Sequence, residues 1–210
     1  FGLSLMAQEV EEVVVTAEKR SESLQDISQA VTALSESDIE EKNIESFVDL
    51  SAIVPGVTVA KNEGYKTIIS IRGVGNETNQ NAIAAPSVAF HMDGVFIASP
   101  FAISTDFLDV ERLEVIRGPQ GTLFGQNSTG GAINLISKTP TTEGSEGKLS
   151  VTYGDYSLRK VSASNNIVVN DKIATRFSVS STTRDGFTEN VFTGQDLDDA
   201  NNKSVRTDWM

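Results

Sequence analysis

The residues best equipped for chemistry in this sequence are charges set among apolar side chains. In the run 109–117 (DVERLEVIR), strand spacing puts Glu111 on one face with Leu113, Val115 and Arg117. Arg112 and Glu114 share the other face with Ile116. Charges interleaved with core residues must be paired or wet. A surface strand accounts for charges on one face only. Charges and apolar residues on both faces point to an ionic interface with another wall of protein, and Arg72 belongs with this cluster. His91 and Asp93 suggest a dyad, but they lie two apart in an extended run and Asp93 opens a turn. With one His and no Cys, neither a thiol nucleophile nor a multi-His metal site can be built. The glycines of 118–131 (GPQGTLFGQNSTGG) are followed by no Gly-Lys-Ser/Thr and form no G-x-G-x-x-G, so a phosphate loop is excluded. Asp196, Asp198 and Asp199 read as a solvated loop. The expectation is a protein with no catalytic residues, no metal and no cofactor.

The composition narrows the class. The 210 residues allow one or two domains. Lys and Arg number 17 against 29 Asp and Glu, a net charge of -12, so no nucleic acid is expected as a partner. The acidity is uneven: residues 1–50 hold 12 acidic and 3 basic residues, the rest 17 and 14. The front segment is therefore expected to lie exposed or loosely held. No apolar run approaches the roughly 18 residues of a membrane-spanning helix. Barrel strands escape that test because they alternate.

The elements that must position the charges follow from local pattern. Residues 1–7 (FGLSLMA) resemble the tail of a secretory signal, and 11–17 (EEVVVTA) is a short β-branched run ahead of a charged linker at 18–23. A strand is predicted at 29–34. Capping boxes at Ser37/Glu40 and Ser46/Asp49 predict helices over 38–42 and 47–53, the second ending before Pro55. Strands are predicted at 57–60, 67–72, 87–92, 95–98, 112–117 and 132–138, with a turn at Asp93-Gly94. After Pro140 the grammar changes to long alternating runs at 148–153, 157–165 and 173–183, then a long polar loop over 184–203 and a strand from 204. In 173–180, Ile173, Thr175, Phe177 and Val179 take one face and Ala174, Arg176, Ser178 and Ser180 the other. One short turn followed by one long loop suits an outer-membrane barrel, and a soluble meander would alternate in the same way.

At 109–140 (DVERLEVIRGPQGTLFGQNSTGGAINLISKTP) the sequence strongly resembles the plug domain of TonB-dependent outer-membrane receptors. Other marks fall in the family's order: Val13-Val14-Val15-Thr16-Ala17 resembles a TonB box, Val54-Pro55-Gly56-Val57 its VPGV turn, Ile71-Arg72-Gly73 its IRG motif and Asp93-Gly94-Val95 its DGV hairpin. The sequence departs from the family pattern at His91 and Gln126. The resemblance implies an α+β plug domain followed by the first antiparallel strands of a transmembrane β-barrel. It divides the chain into a signal-peptide remnant (1–8), a TonB box segment (9–20), the plug (21–140) and the truncated start of the barrel (141–210). A plugged barrel of this kind has about 22 strands, and some four strands cannot close it, so a part of a longer receptor, or a truncated product, is expected.

The resemblance also implies roles. Val13, Val14, Val15, Thr16 and Ala17 would add as a strand to TonB, which relays energy from the inner-membrane ExbB–ExbD motor. Arg72, Glu111, Arg112, Glu114 and Arg117 would form the ionic cluster holding plug to barrel. Asn62, Tyr65, Asn76, Asn79, Gln80 and Phe101, in the apical loops, would contact the ligand. The implied function is import across the Gram-negative outer membrane, embedded in its lipid, of a scarce nutrient, foremost a ferric siderophore. The alternatives are cobalamin, a glycan, or a plug that binds or signals without transport.

Overall fold

The structure is a computed structural model, and it describes residues 14–15, 22–23, 29–62, 66–75, 86–99, 102–104 and 106–210. The chain opens with β1 (Val14–Val15) paired antiparallel with β2 (Glu22–Ser23). Next come β3 (Ala30–Ser35) and α1 (Glu36–Glu41). This helix starts two residues before the predicted one. Its cap is Ser35, whose Oγ accepts from the Asp38 amide while the Asp38 carboxylate accepts from the Ser35 amide at 3.1 Å. An Asp at the third position thus serves where the sequence pattern pointed to Glu40. A 3-10 turn at Phe47–Asp49 runs into α2 (Leu50–Ile53), which stops at Val54 because Pro55 follows.

Short strands then build the body: β4 (Val57–Asn62), β5 (Lys66–Ile71), β6 (Val74–Gly75), β7 (Val88–Met92) and β8 (Val95–Phe96). The turn between β7 and β8 has Asp93 at φ +51° and Gly94 at φ +80°, the left-handed pair a tight hairpin requires. A 3-10 turn at Ala102–Ser104 precedes β9 (Val110–Arg117), then α3 (Gly121–Phe124) and β10 (Gly131–Ser137). The helical turn α3 lies inside the glycine-rich stretch, where no periodicity signals it.

The central sheet has the order β3-β9-β10-β7-β8, with β10 and β7 parallel and the other pairs antiparallel. It is buried on both faces. One face packs Leu34, Phe90, Leu113, Val115, Ile133 and Leu135 against Ile39, Phe47 and Leu50 and against Val57, Val59, Ile69 and Ile71 of β4 and β5. The other face carries Ala89, Ile116 and Ala132, covered by Val15 and Phe124. Each fully buried Leu, Ile or Phe contributes about 1.5–3 kcal/mol.

A second sheet follows: β11 (Glu146–Gly154), β12 (Leu158–Asn170), β13 (Ile173–Arg184), then the small hairpin β14 (Thr188–Glu189) and β15 (Asp196–Leu197), and β16 (Ala200–Trp209). Its order is β11-β12-β13-β16, all antiparallel. The run predicted at 157–165 continues as one strand to Asn170, and β16 begins earlier than predicted because Arg184 pairs with Ala200. Burial in this sheet is inverted. Arg176, Ser178, Ser180 and Thr182 are buried, whereas Leu149, Tyr153, Val205 and Trp209 are each about 70 % exposed or more. Among the described residues no helix is long and apolar enough to cross a membrane, which says nothing of strands.

Gly131 sets how closely β9 and β10 approach. It sits at φ +146°, and a Cβ there would lie 2.3 Å from the Ile116 carbonyl oxygen and 2.9 Å from Ile71 Cδ1. Gly131→Ala is expected to destabilise the first body by at least about 2 kcal/mol, through backbone strain and the clash with a carbonyl that cannot move aside. The check is the urea midpoint of the purified chain; an unchanged midpoint would contradict the close approach.

Candidate functional site: the seam between the two sheets

The two bodies meet along a seam of opposite charge. Lys148 of β11 lies 3.0 Å from Glu36 and also contacts Glu40, both on α1. Lys160 of β12 lies 2.9 Å from Glu45. Arg176 of β13 grips Asp109 with two bonds, Nε at 2.5 Å and an Nη at 2.7 Å, and Ser178 Oγ donates to the same carboxylate at 2.5 Å. Arg206 of β16 lies 3.0 Å from Asp93 and donates to Ser137 Oγ. Four successive strands each send one cation to a carboxylate of the first body. The reversed pair among the described residues, Lys138 with Glu146, is long at 3.8 Å.

These contacts differ in worth. The Arg176 and Asp109 side chains are 4 % and 6 % exposed, so their bidentate pair is shielded from water. The Lys148 pairs stand about half in solvent and each contributes little on its own. Beside them a cavity of about 130 Å³ opens between α1 and the strands, lined by Ile39, Phe107, Lys148, Lys160, Ser162 and Ser164. Its lining mixes charged and hydroxyl groups with Ile39, Ile44 and Phe107. Burial works to raise the Asp109 carboxyl, but Arg176 and Ser178 outweigh it and hold the group below its usual range. Burial likewise raises Glu36, and the ammonium groups of Lys138 and Lys148 bring it lower than normal.

The residues singled out in the sequence fall elsewhere. Glu111, Arg112 and Glu114 come together within the first body: Arg112 Nε lies 3.0 Å from Glu114, the Arg112 guanidinium also meets Glu111, and Asn134 donates to the fully buried Glu114 at 3.2 Å. Arg117 donates to Thr32 Oγ1 at 2.9 Å, and Arg72 stands exposed in a turn at φ +52° with no ion pair among the described residues. These two do not join the other three. Val14 and Val15 lie in β1, and Val15 is wholly buried against Ala89, Ile116, Phe124 and Ala132. The front segment is thus, at this point, packed rather than exposed. Val13, Thr16 and Ala17 lie outside the described residues. Asn62 ends β4, and Tyr65, Asn76, Asn79, Gln80 and Phe101 lie outside the described residues. His91 is buried between the Phe96 and Phe124 rings, 5.5 and 5.1 Å away, as a packed residue rather than half of a dyad.

Sequence reasoning missed Lys148, Lys160, Arg176, Arg206 and their carboxylate partners. The available signal was a basic residue on the polar face of each alternating run.

Comparison with known proteins assigns this architecture. Residues 23–132, more than half of the chain, match the TonB-dependent Receptor Plug Domain family, and the chain belongs to it. A vitamin B12 transporter of Vibrio vulnificus is 37 % identical over 154 residues, covering 69 % of this chain and 24 % of the relative. The catecholate siderophore receptor Fiu of Escherichia coli is 32 % identical over 165 residues, 77 % of this chain and 20 % of the relative. The ferric yersiniabactin uptake receptor FyuA of Yersinia pestis superposes with a TM-score of 0.73 over 84 % of this chain and 27 % of that one, at 23 % identity, a likeness of fold. The chain therefore spans about a fifth to a quarter of the length of these relatives. The first body is a plug. The second sheet corresponds to strands of a receptor barrel and is not itself a closed barrel.

Asp109→Ala leaves the Arg176 guanidinium buried without its partner and is expected to cost about 3–5 kcal/mol of plug attachment. Asp109→Ala with Arg176→Met is expected to recover part of that loss, because the stranded charge is gone. Chemical unfolding of the purified chain in detergent measures both. The seam is also expected to be acid-sensitive. Glu36 and Asp109 are depressed, so their stabilisation is complete above the usual carboxylate range and is lost as pH falls through the depressed values. Limited proteolysis should show the plug protected at about pH 6 and released well below about pH 4. Release on raising the pH from 6 to 8 would contradict the seam's polarity.

Proposed function

We propose that the chain forms the plug and first wall strands of an energy-coupled receptor in the outer membrane of a Gram-negative bacterium. The observation that carries this reading is the inverted second sheet: its buried face is charged and hydroxylated and meets the plug, while its apolar face is bare. Tyr153 and Trp209 lie on that bare face at opposite ends. Their register rows are eight residues apart on β13, about 27 Å along the strand. At a tilt of about 40° this projects to roughly 20 Å, close to the apolar band of an outer-membrane barrel and its aromatic girdles. Residues 1–8 are assigned to a signal remnant, 9–20 to the energy-coupling segment, 21–140 to the plug and 141–210 to the barrel's beginning.

The cargo favoured is a ferric siderophore, supported by the siderophore receptors among both the relatives and the similar structures. Cobalamin is the second reading, favoured by the 37 % identity to a vitamin B12 transporter. Either cargo would be bound by the apical loops that hold Asn62, Tyr65, Asn76, Asn79, Gln80 and Phe101. Arg72 and Arg117 would face carboxylates supplied by other wall strands. No catalytic step is required; the work is mechanical.

In this reading, Val13–Ala17 is the strand offered to TonB. Strand addition draws its affinity from backbone hydrogen bonds, so a plain valine run suffices. β1 already pairs with β2, and Val15 is buried, so the segment must leave the plug before TonB can take it. Val14→Pro removes a backbone donor and fixes φ. Whole cells producing the complete receptor are the test, with a radiolabelled ferric catecholate chelate and radiolabelled cobalamin as probes. Binding at the cell surface is expected to survive Val14→Pro, and energy-dependent uptake to be abolished. Normal uptake would remove the assignment of this strand. Loss of binding together with uptake would make it a structural part of the plug.

A further inference from the structure

The seam contacts cluster at one end of the plug sheet. Asp93 follows the last residue of β7, Asp109 precedes the first residue of β9, and Ser137 is the last residue of β10. The register puts these together: Ser137 pairs with Val110, and Leu135 with Met92. They are also tied to one another, since Asp93 Oδ1 accepts from the Ser137 amide at 2.8 Å and the Lys138 amide donates to the Asp109 carbonyl at 3.0 Å. The wall therefore holds the three central plug strands by the same end, through Arg176, Ser178 and Arg206.

The opposite end of the sheet is built differently. There Arg117 pairs with Gly131 and Gly131 with Val88, and Gly130 packs against Val74, two residues beyond Arg72. One row in from that end, Ile116, Ala132 and Ala89 form the floor on which Val15 sits. A pull on β1 thus reaches the plug at the end remote from the Asp109–Arg176 contact.

Resting on the transport reading above, we infer that the Asp93–Asp109–Ser137 end of the plug is a fixed clasp to β13 and β16. When β1 is drawn out, this clasp stays closed and the plug opens from the Arg72–Arg117 end. Asp109 and Ser178 are positioning residues in this account, because they act through the seam and touch no cargo.

The sequence contains no Cys, so introduced thiols meet no competitor within it. Asp109→Cys with Ser178→Cys, closed by oxidation or a short reducible thiol linker, fastens the clasp covalently. Val15→Cys with Ala132→Cys, closed in the same way, fastens β1 to its floor. In the complete receptor, uptake of the two radiolabelled probes is measured before and after reduction. The locked clasp is expected to leave uptake at its reduced level, whereas the locked β1 abolishes uptake and reduction restores it. Uptake lost in the locked clasp and recovered on reduction overturns the clasp and leaves the transport reading standing. Uptake that survives the locked β1 overturns the energy-coupling assignment instead.

A second measurement decides the clasp even where neither probe is imported. The receptor in a membrane is pulled by a handle at its N-terminal end, with and without the closed Asp109→Cys/Ser178→Cys link. The first yielding force and the length released are expected to be the same in both. A first release that the link shortens or abolishes shows that the clasp opens early, and overturns the inference.

Discussion

A carboxylate that is 6 % exposed against a guanidinium that is 4 % exposed is the contact on which the arrangement of the two bodies turns. Asp109 takes a positive φ of 54° immediately before β9, the strand that pairs with both β3 and β10. Its position is therefore fixed by the core of the plug. Arg176 is fixed by β13, an interior strand of the wall sheet, and Ser178 supplies a third bond to the carboxylate. Little freedom is lost in forming this contact, because both backbones are already held. The Lys148 pairs beside it are long, half-exposed side chains; they set charge complementarity more than energy.

The wall shows why its polar face must be buried and its apolar face bare. A soluble sheet would place Phe177 and Val179 inside and Arg176 and Ser178 outside. Here the plug's carboxylates select the opposite face, and Leu149, Val151, Tyr153, Val205 and Trp209 are left without protein cover. A bare apolar face of this size is unstable in water and suited to lipid. The same row that carries Arg176 and Ser178 thus decides both which side meets the plug and which side is left bare.

Much of the plug was legible because its signals are local. The Asp93-Gly94 hairpin, the stop before Pro55 and the run 109–117 depend on residues within a few positions of each other. The α1 start was misplaced by two residues because Ser35 and Ser37 both precede an acidic partner at the right distance, and only the fold selects Asp38. The charges of 111–117 were correctly seen as needing partners, yet three of them found those partners within the plug, and Glu114 is paired across to Asn134. The seam was illegible for a different reason. Its pairs join residues 67 to 115 positions apart, and nothing local distinguishes Lys160 or Arg206 from an ordinary polar-face cation. The alternation in 173–180 was read correctly, but two environments alternate alike, and the choice between them lies in what the polar face touches.

The relative strength of attachments also orders events under load. Among the described residues, β1 is held by a two-residue ladder and one buried valine. At about 1 kcal/mol for each backbone bond and about 1.5–3 kcal/mol for the valine, the hold amounts to a few kcal/mol. The floor beneath it offers Ala89 and Ala132, small residues that give Val15 few atoms to grip. At the other end the bidentate Asp109–Arg176 pair acts together with Arg206 and Ser178 on strands that are already cross-bonded, so several contacts must break together before that end yields. A force applied at the N-terminal side therefore meets the weak attachment first. β1 could therefore be drawn out without the plug leaving as a unit: the number and coupling of the contacts at the two ends of one sheet would give such a pull a direction.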